Sequence, residues 1–181
     1  NCNKLRYQRW RDDCLQMDWN DEVINYKLHA TAEAILSFND HGPDIIGFQE
    51  IENLNILKRL FELLEPHGFK YYSLVEGNDK RGIDNAFISK YEISNPKLHY
   101  IKFKSKNRDT RPIFEVDIRI NNKVIKFYNL HFPSNFYPID MRIDSLKFLA
   151  SGVRQVSISN FSDECQIWKC HHWVPERCKT R

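Results

Sequence analysis

The sequence has no apolar run near the ~18–20 residues that a membrane-spanning helix needs. The longest near its middle is Ile45-Ile46-Gly47-Phe48. No signal-peptide pattern opens it, because Asn1 to Trp10 is polar and basic with no apolar stretch behind. No internal repeat is visible. Cysteine is absent from the 150 residues between Cys14 and Cys165. The five cysteines lie at the two ends, as Cys2, Cys14, Cys165, Cys170 and Cys178. Disulfides between the ends are compatible with this placement, but their pairing does not follow from it, and the redox compartment stays open. Cys165, Cys170, His171, His172 and Cys178 look at first like zinc ligands, yet their spacing matches none of the usual zinc patterns. Charge of one sign is also scarce. The 27 Lys and Arg exceed the 24 Asp and Glu by only +3, which permits a phosphate-bearing partner without demanding one.

The chain does have the means to fold. Its 181 residues suit a single domain, 41% hydrophobic and 13% aromatic content supplies a core, and 28% charged content is that of a globular protein. Val23, Ile24, Leu28, Ala32, Ile35, Leu36 and Phe38 recur at helical spacing, so the pattern predicts an amphipathic helix over 21–38, capped by Asn20 or Asp21. Asp40-His41-Gly42-Pro43 breaks it. The run from Asp44 to Glu50 reads as a buried central strand. A second helix is expected over 53–64, with Leu54, Leu57, Leu60, Phe61 and Leu64 on one face, ended by Pro66 and Gly68. Strands are expected over 69–75, 83–89, 97–103, 113–120 and 123–130, the last two joined by a tight turn at Asn121-Asn122. A third helix is predicted over 139–156, with Ile143, Leu146, Leu149, Ala150 and Val153 on one face. Beyond Ser157 the pattern dissolves, and 168–181 shows no strand. The order is that of a layered, mixed α/β domain.

Glu50 is the first candidate for chemistry. A carboxylate ending an apolar strand is costly to place unless something pairs with it, and a divalent cation such as Mg²⁺ takes hard oxygen ligands from one or two carboxylates. An ordinary surface glutamate at a strand end is the alternative. His131 ends another strand, where an imidazole can act as general acid or base, or donate to phosphate; packing against a loop is its plainer role. Arg81 and Asp84 flank a strand start, suited to a phosphate and a neighbouring side chain respectively, or to a salt bridge at a turn. Lys102, Lys104 and Lys106 fall at period two, with Arg108 and Arg111 following. That segment suits a phosphate backbone, and equally an edge strand protected by lysines, the reading favoured here.

Four segments in order resemble the endonuclease/exonuclease/phosphatase family, the DNase I-like metal phosphoesterases. They are Gly42-Pro43-Asp44-Ile45-Ile46-Gly47-Phe48-Gln49-Glu50 running on to Asn53, Arg81-Gly82-Ile83-Asp84-Asn85-Ala86, Thr110-Arg111-Pro112-Ile113-Phe114, and Asn129-Leu130-His131-Phe132-Pro133-Ser134. Trp19-Asn20-Asp21 also sits where the family has a Trp-rich lead into its first long helix. The resemblance spans roughly residues 19–156. It implies a four-layer α/β sandwich, two mixed sheets with helices outside, here partial. It implies hydrolysis of phosphate esters with Mg²⁺ or Mn²⁺, with Glu50 at the metal and His131 assisting at the scissile phosphate. Arg111 matches a basic position for substrate phosphate, and Arg81, Asp84, Asn129 and Ser134 are further substrate-binding candidates. A nucleic acid is the favoured partner, ahead of other phosphate esters. The family's Gly-Asp-Phe-Asn and Ser-Asp-His segments do not occur after Val156. About half of the family's site is therefore expected here, and a truncated or degenerate member acting as a binding module is the alternative to a nuclease.

Overall fold

The computed structural model describes residues 3, 7–16, 20–78, 83–103, 111–134, 136–153 and 167–170. The helices are α1 (Gln8–Gln16), α2 (Asp21–Leu36), α3 (Leu54–Leu64) and α4 (Ile139–Val153). The strands are β1 (Ile45–Ile51), β2 (Tyr71–Leu74), β3 (Asp84–Ser89), β4 (Glu92–His99), β5 (Ile113–Ile120), β6 (Lys123–Asn129) and β7 (Ile167–Cys170). Cys14 on α1 is disulfide-bonded.

Local chemistry sets the element ends. The Asn20 side chain accepts from the Val23 N–H at 3.0 Å, and Asn53 accepts from Ile56 N–H at 3.0 Å, so each asparagine satisfies one orphan donor of the helix it opens. Asp21 and Glu22 in the first turn of α2 complement its dipole. Asn121 and Asn122 both take positive φ, 48° and 63°, the backbone of a two-residue hairpin whose twist matches its strands.

The strands form two sheets, ordered β2-β3-β1-β7 and β4-β5-β6. The first is mixed: β1 runs antiparallel to β3 and parallel to β7. The alternation of side chains along β1 builds the layers. Ile46, Phe48 and Ile51 point to α2 and α3, packing with Leu28, Ile35, Leu57, Leu60 and Phe69. Ile45 points the other way and meets Phe87, Phe114, Val116, Ile118 and Phe127 between the two sheets. The result is a partial α/β sandwich, as the resemblance implied, although among the described residues only the first sheet is mixed and the second is antiparallel throughout. Among the described residues no helix is long and apolar enough to cross a membrane.

Four expectations change. The strand expected over 97–103 lies earlier, as β4, and Lys102 follows it as an exposed coil residue; Lys104, Lys106 and Arg108 lie outside the described residues. The edge strand is protected instead by Pro96 and by Asn95, which sits at positive φ where the pairing register shifts. The segment after Ser157 does contain a strand, since β7 pairs with the edge of β1; four residues are too few for alternation to reveal. On α4, Met141 and Ser145 are buried, while Ile143 and Leu146 of the expected core face are exposed. On α3, Leu54 is likewise exposed and Ile56 is buried in its place.

The outer face of β5 carries Glu115 and Asp117, both buried. Lys126, opposite on β6, donates to Glu115 Oε1 at 2.8 Å and to Asp117 Oδ1 at 3.0 Å. His99 Nε2 lies 2.6 Å from Glu115 Oε2, and Asn95 donates to Asp117 Oδ2 at 2.9 Å. Phe148 of α4 lies against the His99 ring, centroids 6.1 Å apart. Burial pushes both carboxyl groups up, but the hydrogen bonds and positive charge outweigh it, so each lies below its ordinary range. The same two carboxylates raise Lys126.

Candidate active site

The pairing registers bring the predicted site residues to one end of the sandwich. Glu50 lies near the C-terminal end of β1, where Ile51 pairs with Asp84, the first residue of β3. In the second sheet Phe114 pairs with Asn129, so Arg111 just before β5 and His131 just after β6 emerge at the same end of neighbouring strands. His131 Nε2 and Glu50 Oε1 are 3.4 Å apart, at 19% and 22% side-chain exposure. Two residues 81 positions apart, one from each sheet, thus meet in a partly exposed site.

A bulge aims Glu50. Phe48 pairs with Ala86 and Ile51 with Asp84, so three steps on β1 match two on β3, and the extra residue falls here. Glu50 takes φ of 62°, the left-handed region, which costs a non-glycine residue about 1–2 kcal/mol. Strain of this size at a named carboxylate is the kind of feature that collects at functional sites.

Three buried amides fasten the sheets behind the pair. Asn129 Nδ2 donates to Phe48 O at 2.7 Å and to Ala86 O at 3.1 Å, joining β6 to both β1 and β3. Asn85 Nδ2 donates to Pro112 O at 3.2 Å and to Asn129 O at 3.3 Å. Gln49 donates to the carbonyl of Leu130, the residue before His131. A Cβ at Gly47 would lie in van der Waals contact with this arrangement, 3.4 Å from Asn129 Nδ2 and 3.5 Å from the Phe87 ring.

The remaining candidates divide. Asp84 is buried and accepts from the Gly77 N–H at 2.8 Å, holding the loop after β2 against Pro112. Arg111 is half-buried at the start of β5, and Ser134 is exposed in the loop after His131. Arg81 lies outside the described residues. The clamps Gln49 and Asn85 were missed at the sequence level, although an amide inside an otherwise apolar strand is the signal that marks them. Among the described residues no group of three or more His, Cys, Asp or Glu gathers to hold a metal ion.

The fold is a DNase I-like α/β sandwich, here partial. The model of the Endonuclease/Exonuclease/phosphatase family matches residues 12–140, and the chain belongs to that family of phosphoesterases and nucleases. No curated protein matches the sequence. Among solved structures, truncated TDP2 of Caenorhabditis elegans is similar with TM-score 0.56 and 17% identity, over 75% of this chain and 50% of that one. A second structure of TDP2 from C. elegans gives 0.54 and 15%, over 82% and 48%. An endonuclease/exonuclease/phosphatase family protein from Leptotrichia buccalis C-1013-b gives 0.51 and 22%, over 74% and 59%. At these identities the likeness is one of fold, and the chain spans about half of the length of these structures.

Proposed function

We propose that this chain carries the Glu50 and His131 part of the site of an Mg²⁺-dependent phosphodiesterase whose substrate is a nucleic acid. The observation that supports this most is the approach of His131 Nε2 to Glu50 Oε1 at 3.4 Å across the two sheets. Glu50 offers one hard oxygen donor, which suits Mg²⁺ or Mn²⁺, ions that keep several waters and take further oxygens from substrate phosphate. When bound, such an ion offsets phosphoryl charge and makes water a better nucleophile.

The chain's own residues do the rest. His131 donates a hydrogen bond to a phosphoryl oxygen or moves a proton at Nε2. Arg111, at the same end, neutralises a phosphate oxygen through its guanidinium. The Asn129, Asn85 and Gln49 amides hold these groups in fixed relation, so little reorganisation is needed when charge develops.

The test is Mg²⁺-dependent cleavage of plasmid and single-stranded DNA by the chain, Glu50→Gln and His131→Ala, with intact mass on each sample. Loss of at least about 100-fold is expected in both variants. Mn²⁺ should also raise the melting temperature of the parent and not that of Glu50→Gln. A folded sample of the right mass with neither cleavage nor a Mn²⁺ shift overturns the catalytic reading and leaves a binding module.

A further inference from the structure

Phe136 is 100% exposed, in the loop that leads from His131 into α4. Phenylalanine is among the residues most often buried, and here its whole ring meets water. The loop that presents it is held at several points. Tyr137 N–H donates to Ser134 O at 3.0 Å and Met141 N–H to Pro138 O at 3.1 Å. Pro133 is buried and Pro138 fixes its own φ, so described residues on both sides of the ring are constrained. It lies five positions after His131, which puts its Cα no more than about 18 Å from that of the histidine.

We infer that Phe136 is a substrate-positioning residue, a platform on which an unpaired base stacks within a few nucleotides of the scissile phosphate. The inference rests on the nucleic-acid reading above and narrows it to single-stranded or frayed substrates. A duplex hides the faces of its bases, whereas an unpaired base offers one to an aromatic ring. Stacking of this kind tolerates any base and changes affinity about 5- to 150-fold per base. The mild net charge of +3 makes such a contact useful, because phosphate attraction alone offers little. Ile139, Ile143 and Leu146, also exposed, continue along α4 as aliphatic chains with no π face.

The experiment compares binding of two fluorescein-labelled single strands of equal length in EDTA, where nothing is cut. One carries bases and the other is abasic throughout, so the two differ in bases and share their phosphates. The parent should prefer the base-bearing strand by about 5-fold or more. Phe136→Ala should lose that preference with its affinity for the abasic strand unchanged, and Phe136→Trp should restore it. Among the described residues the ring packs on nothing, so the alanine variant should melt at the parent's temperature. Equal affinity of the parent for both strands overturns the inference and leaves the nucleic-acid reading standing. Binding of neither strand overturns both. Phe136-dependent binding to phosphatidylserine vesicles without base preference overturns the inference in favour of a lipid surface.

Discussion

Replacing Lys126 by Met tests the charged network on the outer face of β5. The substitution keeps the aliphatic stem and removes the ammonium that donates to Glu115 at 2.8 Å and to Asp117 at 3.0 Å. Each hydrogen bond to a charged group contributes about 1.5–3 kcal/mol, and breaking a buried pair leaves an uncompensated charge. The carboxylates are only 8% and 11% exposed, but Lys126 is 40% exposed and water screens part of its contribution. The net cost at pH 7 is therefore about 2–3 kcal/mol, well under the sum of the two bonds. The pH dependence has a definite sign. Both carboxyl groups lie below their ordinary values in the folded state, so their stabilisation is present above the unfolded pKa and is lost as pH falls through the folded one. Lys126 is raised, so its share is full below its unfolded pKa and persists through neutral pH. The difference between Lys126→Met and the parent should stay flat from about pH 6 to 9 and shrink as pH falls through the carboxylate range. Urea unfolding at pH 7 and at pH 3 reads both numbers. A difference below about 0.5 kcal/mol at pH 7, or one equal at the two pH values, refutes the reasoning.

Two further outcomes follow from the site. Asn129→Ala removes two donors to buried carbonyls and should cost about 2–3 kcal/mol, measured by urea unfolding, with activity falling as His131 loses its anchor. Glu50→Gly releases the left-handed strain and should raise stability by about 0.5–1 kcal/mol while abolishing the Mn²⁺ shift; a loss of stability instead would show that the carboxylate's contacts outweigh the backbone strain.

What the sequence made legible was local. Glu50 lies at the end of an apolar strand and His131 just past the end of another strand, and the motif order placed them on one scaffold. The bulge was not legible, because no glycine marks the position where β1 gains a residue. Glu115 and Asp117 alternate with Phe114, Val116 and Ile118 as a solvent face would, and only the tertiary arrangement of Lys126, His99, Asn95 and α4 shows them buried. The α4 face failed for a related reason. Ile143 and Leu146 keep helical spacing, but which stripe of a helix is covered depends on what packs there, and Met141 and Ser145 occupy that position. For β7 the obstacle was length, since four residues paired in parallel carry too little periodicity to read.

The three fastening amides all sit at one end of the sandwich. The β5–β6 hairpin, at Asn121-Asn122, lies at the other end of the second sheet, and the cluster of Ile45, Phe87, Phe114, Val116, Ile118 and Phe127 between the sheets is apolar. Mechanically the domain is a book with its spine at Glu50 and His131. On this arrangement amide exchange should be slower at the spine than at the hairpin, because buried hydrogen bonds fasten only the former. Substitutions at Asn121 and Asn122 should then soften the fold with little effect on the spacing of the pair.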